Sequence, residues 1–164
     1  MVAPFMPARS KVGRPRTTDL RAGWDAIRYM AATGCQWAML PKDFPPFTTV
    51  QYSFYMLRNS GTLDLMNNAL ACASRLTAGR AAEPTAGIID SQSVKTTESG
   101  GPRGFDAGKR IKGRKRHIVT DTQGNLLAAM TRSAGVQDRD GAPGVIAFAT
   151  ESWPTLRHVF ADGG

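Results

Sequence analysis

Gly87-Ile88-Ile89-Asp90-Ser91-Gln92-Ser93-Val94-Lys95 is the stretch on which the reading of this chain turns. Its β-forming residues predict a strand, and Asp90 stands at the end of its apolar run. A carboxylate among strand formers is costly unless it is solvated, paired or bound to a metal. Near the other end, Leu156-Arg157-His158-Val159-Phe160-Ala161-Asp162 repeats the pattern. Two strand ends of this kind can set two hard oxygen ligands side by side, the usual way to hold Mg²⁺, with Mn²⁺ as the alternative ion.

Working outward from Asp90, the segment up to Gly79-Arg80-Ala81-Ala82-Glu83-Pro84 reads as helical, and that segment reads as a domain boundary. Asp19 is a candidate cap for a helix carrying Leu20, Trp24, Ile27 and Ala31, which Gly34 ends. The aromatic and proline-rich run from Gly34 to Phe47 reads as a rigid connector. Thr48 or Thr49 is expected to cap a second helix with Val50, Phe54 and Leu57, and Thr62 a third with Leu63, Met66, Leu70 and Ala73 on one face. Three short helices of this kind fit a helix-turn-helix-like unit.

Beyond Asp90 the period changes. A loop rich in glycine and cations is expected from Ser99 to Gly113, then a hairpin of 116–120 and 126–130 around a turn at Asp121–Asn125. Asp140 and Pro143 open a helix with Ala142, Val145, Ile146 and Ala149 on one stripe, and Trp153-Pro154 closes it before the Asp162 strand. The order strand, hairpin, helix, strand behind a helical segment predicts an α+β chain.

The net charge of +8 over 164 residues favours a polyanionic partner. From Arg103 to Arg116 there are seven Lys or Arg residues (Arg103, Lys109, Arg110, Lys112, Arg114, Lys115 and Arg116) against one Asp, a net +6. Such a cluster between two acidic strand ends is placed to grip DNA phosphates beside a scissile bond. Arg9, Lys11, Arg14 and Arg16 form a second basic set. The glycine-rich loop is not a nucleotide-binding one: a Walker-type motif ending at Gly108-Lys109 would need glycine where Arg103 stands and Ser or Thr where Arg110 stands. Cys35, Cys72, His117 and His158 lack zinc-type spacing. No apolar run approaches the roughly 20 residues that span a bilayer, which leads us to expect a cytoplasmic protein without a membrane partner.

Gly34-Cys35-Gln36-Trp37-x-x-Leu40-Pro41, with Asp43-Phe44-Pro45-Pro46 after it, resembles the N-terminal domain of bacterial insertion-sequence transposases of the DDE class. Ile88 to Lys95, Lys112-Gly113-Arg114-Lys115-Arg116-His117 and Ala161-Asp162-Gly163-Gly164 are similar to the catalytic core of that group. The chain departs from the group at Ala38, where a basic residue is common, and in its second helix. The resemblance implies a helical N-terminal transposase domain over 1–83 and a partial ribonuclease H-like catalytic domain over 84–164. It implies Asp90 and Asp162 as catalytic and metal-binding residues, double-stranded DNA (transposon ends and target) as partner, and a homo-oligomer as an open expectation for the intact enzyme. His117 and Gln92 are candidates for supporting positions around the acidic pair, although a plain structural role is the favoured reading of each. The third acidic residue of the triad has no counterpart before Gly164. The expectation is therefore a chain inactive alone, with a catalytically inactive DNA-binding remnant as the alternative function. A basic RNA-binding protein would account for the charge but not for the Asp90 and Asp162 motifs.

Overall fold

The computed structural model describes residues 3–6, 13, 17–96 and 101–161, which fall into two compact units, Met1–Met66 and Asn67–Gly164. In the first, α1 spans Leu20–Thr33. The Asp19 carboxylate accepts the Arg21 N–H at 3.1 Å, and Gly34 closes the helix in the left-handed conformation, φ 65°, that glycine adopts without strain. Both ends lie where the sequence predicts them, although Ala31 is exposed rather than on the packed stripe. α2 spans Phe47–Asn59 and starts before the expected threonine caps. Pro46 precedes it with φ -48° and ψ 132°, and its carbonyl accepts the N–H groups of Thr49 and Val50, so Thr48 and Thr49 lie inside the first turn. The core of this unit is Ala26, Ile27, Val50 and Leu57, with Trp24, Trp37, Phe44 and Phe54 packed against it. Trp37, in a single 3₁₀ turn of the connector, brings its ring centroid within 5.6 Å of Phe54.

α3 runs from Thr62 to Thr77. Its buried positions are Met66, Ala71 and Arg75, while Leu70 is 42% exposed, so the packed stripe is rotated from the expected one. Arg75 accounts for the rotation. Its Nη1 lies 2.7 Å from Asp121 Oδ2, and its Nε donates to the Ala81 carbonyl at 2.9 Å. Asp121 also accepts the N–H groups of Gln123 and Asn125, so one buried carboxylate organises a turn and pins a helix. Burial works against the Asp121 anion, but hydrogen bonds from Asn125 and Arg75 outweigh it and hold the pKa below the usual value.

The second unit is built on a five-stranded sheet of β1 (Ala86–Lys95), β2 (Gly104–Asp106), β3 (Ile111–Asp121), β4 (Leu126–Ser133) and β5 (His158–Ala161). The order is β2-β3-β1-β5, and β4 also pairs with β3. β1 is antiparallel to β3, from Gly87 opposite Asp121 to Lys95 opposite Gly113, and parallel to β5, ending with Ile89 beside Ala161. α4 spans Asp138–Ser152, two residues longer at its start than Asp140, with Pro143 inside it. Gly141, Val145 and Ala149 are its buried residues.

 Val145 and Ala149 pack there with Ala71, Val119, Leu127, Ala128, Trp153 and Leu156, and Trp153 Nε1 donates to the Leu127 carbonyl at 3.2 Å. Among the described residues no helix is long and apolar enough to cross a membrane.

The cationic segment differs most from expectation. The loop expected up to Gly113 is a second hairpin: β2 turns at 107–110 into β3, which starts at Ile111 instead of Arg116. Gly113 permits this, because a Cβ there would run into the Val94 carbonyl of β1. Lys112, Arg114, Lys115 and Arg116 therefore alternate along a strand.

Candidate nucleic-acid interface and acidic site

Alternation sorts the candidate residues onto two faces. In β1 and β3 the odd-numbered residues Ser93, Lys115, His117, Val119 and Asp121 are buried, whereas Asp90, Gln92, Lys112 and Arg116 are exposed. Register places Asp90 opposite Ile118 and Gln92 opposite Arg116, so Asp90 shares a face with Lys112, Arg114 and Arg116. Phe105 of β2 pairs with Lys112 and joins this face. Asp90 Oδ1 accepts the Ser91 N–H at 2.6 Å. Asp162 lies outside the described residues, as do Arg9, Lys11, Arg14 and Arg16; β5 is described as far as Ala161, beside Ile89.

The other cations occupy several settings. Arg103 is exposed just before β2, and Arg110 is exposed in the turn with φ 52°. Lys109 is exposed but folds back, its Nζ donating to the Ser91 carbonyl at 2.8 Å. Arg114 is half-buried, and its Nε donates to the Pro102 carbonyl at 3.3 Å.

Lys115 departs from the DNA-binding role expected of it. It is 4% exposed, with Nζ 2.8 Å from Asp138 Oδ1 and 3.2 Å from Asp106 Oδ2. Burial opposes its charge, but the bonds to Asp138 and Asp106 outweigh that and raise the pKa. Asp106 accepts from Ser93 Oγ and from the Lys109 N–H, and these bonds, with Lys115, hold it well below the usual carboxylate range. Lys115 likewise lowers Asp138, against a smaller effect of burial. Sequence reading missed this cluster because Asp106 and Asp138 lie far from Lys115 along the chain. The one available signal is the parity of Lys115 with Val119.

His117 is buried on the opposite, covered face from Asp90, which fits the structural reading and not a supporting position at the acidic pair. It is 1% exposed, and neither ring nitrogen has a hydrogen-bond partner among the described residues. Gly141 of α4 packs on the imidazole so closely that a Cβ would strike it. Burial lowers the His117 pKa, and Asp138, 3.8 Å from Nε2, opposes the shift. Gln92 does share the face of Asp90.

Residues 81–164, just over half of the chain, match the family described as "Transposase DDE domain". The chain belongs to this family of DDE transposases. Residues 1–67 match a second family, described as "Putative transposase of IS4/5 family". No curated protein and no solved structure matches the chain. Membership identifies an insertion-sequence transposase of the DDE class, for which DNA is the partner and divalent metal ions are in general use. Asp90 has the chemistry of such a ligand, an exposed hard oxygen donor. Among the described residues no three His, Cys, Asp or Glu side chains cluster closely enough to hold an ion.

Proposed function

We propose that this chain is a DDE transposase, or a fragment of one, that acts in the cytoplasm, the whole enzyme cutting transposon ends and transferring the freed strands to target DNA by Mg²⁺-dependent phosphoryl transfer, with Mn²⁺ as a substitute. Asp90 and Asp162 are the proposed metal ligands, and 1–83 and 84–164 the proposed helical and ribonuclease H-like domains. The observation that carries this reading is the shared sheet face of Asp90, Lys112 and Arg116. The antiparallel β4-β3-β1 set with β5 parallel beside β1 supports the ribonuclease H-like assignment. Register also supports the acidic pair: Ile89 lies beside Ala161, and Asp90 and Asp162 are the next residues in the sequence after each.

In this reading Lys112 and Arg116 hold phosphates on the strand face and orient the backbone toward Asp90. Arg103 and Arg110 extend the cationic surface past β2, while Arg114 shapes the segment before β2 through Pro102. A bound divalent ion would supply activation of the attacking oxygen and stabilisation of the leaving one. No covalent protein nucleophile is needed.

Titration with Mn²⁺ and with duplex DNA tests both halves. The reading expects ion binding that Asp90→Ala abolishes, with duplex binding retained by that variant. Duplex binding without ion binding in the unaltered chain would favour the non-catalytic DNA-binding remnant. Absence of duplex binding would sink both readings.

A further inference from the structure

Phe105 is 58% exposed at the centre of β2, yet the residues on either side of it are tightly held. Asp106 turns to the covered face, bound by Ser93, Lys115 and the Lys109 N–H. Gly104 lies against Ser133 and Gly135, so closely that a Cβ would come within 2.6 Å of the Gly135 nitrogen. The short strand is therefore fixed by its neighbours while the ring between them stays outside the core. Pairing with Lys112 sends the ring and that ammonium out of the same face, and Arg110 follows, exposed, in the turn.

A flat apolar ring carried on a fixed strand beside Lys112 and Arg110 matches a ligand that is anionic at its edge and aromatic inside. Nucleic acid has that chemistry: cations take the phosphates and a side-chain ring stacks on a base. A protein partner for an exposed phenylalanine would be favoured by an apolar surround, whereas Phe105 pairs with a lysine. We infer that Phe105 stacks on a nucleobase of the bound DNA, at a step opened by the protein. The inference rests on the DNA reading proposed above and adds a residue to it. Phe105 aligns with Lys112 and Asp90 with Ile118, six residues apart along β3. That is about 20 Å at strand rise. The stacked base then lies about six base-pair steps from a phosphate at Asp90.

The test compares the affinity of the full chain for an intact 30-base-pair duplex and for the same duplex with a two-base mismatch bubble, whose bases are already unstacked. The unaltered protein should bind the bubble about ten-fold more tightly. Phe105→Ala and Phe105→Leu should lose that preference, weakening on the bubble about ten-fold more than on the intact duplex, whereas Phe105→Trp should retain it. The leucine variant preserves bulk, which separates stacking from a change in the hairpin. A preference that survives in both the alanine and leucine variants overturns the inference, as does equal weakening on both duplexes. An unaltered protein that binds both duplexes equally overturns it while leaving the DNA reading intact. One that binds neither overturns the DNA reading and the inference together.

Discussion

The two faces of the sheet use the same strand in opposite ways. On the covered face β3 contributes Lys115, His117 and Asp121, all buried, and the two charged residues are held in ion pairs. On the other face it contributes Lys112 and Arg116, exposed on the same face as Asp90 and Gln92. Four cations within five residues thus split between holding the fold and facing solvent. In a strand, parity decides which charges can meet a ligand, and the density of charge along the sequence does not.

The sharpest way to break this contrast is to remove a buried partner. Arg75→Ala leaves Asp121 without its guanidinium and should cost about 3–5 kcal/mol, read from urea unfolding midpoints. Lys115→Met should cost less, about 2 kcal/mol, because Asp106 keeps Ser93 and the Lys109 N–H, and Asp138 is half-open to water. A stability change below about 0.5 kcal/mol in either variant would contradict the structural role of the covered charges.

A smaller effect should appear in the pH dependence. Burial holds His117 below its ordinary 6.5, with Asp138 opposing and Lys115, Arg132 and Lys109 reinforcing the shift. The unfolded chain therefore takes up this proton first, so the contribution is full above pH 6.5 and is lost as pH falls toward the folded value. Unfolding midpoints between pH 7.5 and 5.5 should fall with pH in the unaltered chain and more gently in His117→Gln. An equal slope in the two would remove His117 from the account. The smallest expected change in stability belongs to the exposed face: Lys112→Gln with Arg116→Gln should shift it by less than about 0.5 kcal/mol.

Local chemistry was legible in the sequence. Asp19 and Gly34 mark the ends of α1, and the turn at Asp121–Asn125 joins β3 to β4 as its residues predict. The start of β3 was hidden because glycine and cations are poor strand formers, and only the approach of Val94 to Gly113 explains the pairing there. Arg75 and Asp121 stand 46 residues apart, and no local period announces such a contact. The acidic site was readable in part: Asp90 lies in β1, exposed, while His117 faces away because one residue of strand reverses a side chain.

The central claim is that strand parity divides the cations between DNA and the fold, and the salt dependence of duplex binding tests it most directly. With the logarithm of affinity plotted against the logarithm of salt concentration, Lys112→Gln with Arg116→Gln should make the slope shallower by about two units. Lys115→Met, measured where it remains folded, should leave the slope unchanged. A slope flattened by Lys115→Met, or untouched by the double variant, would contradict the account.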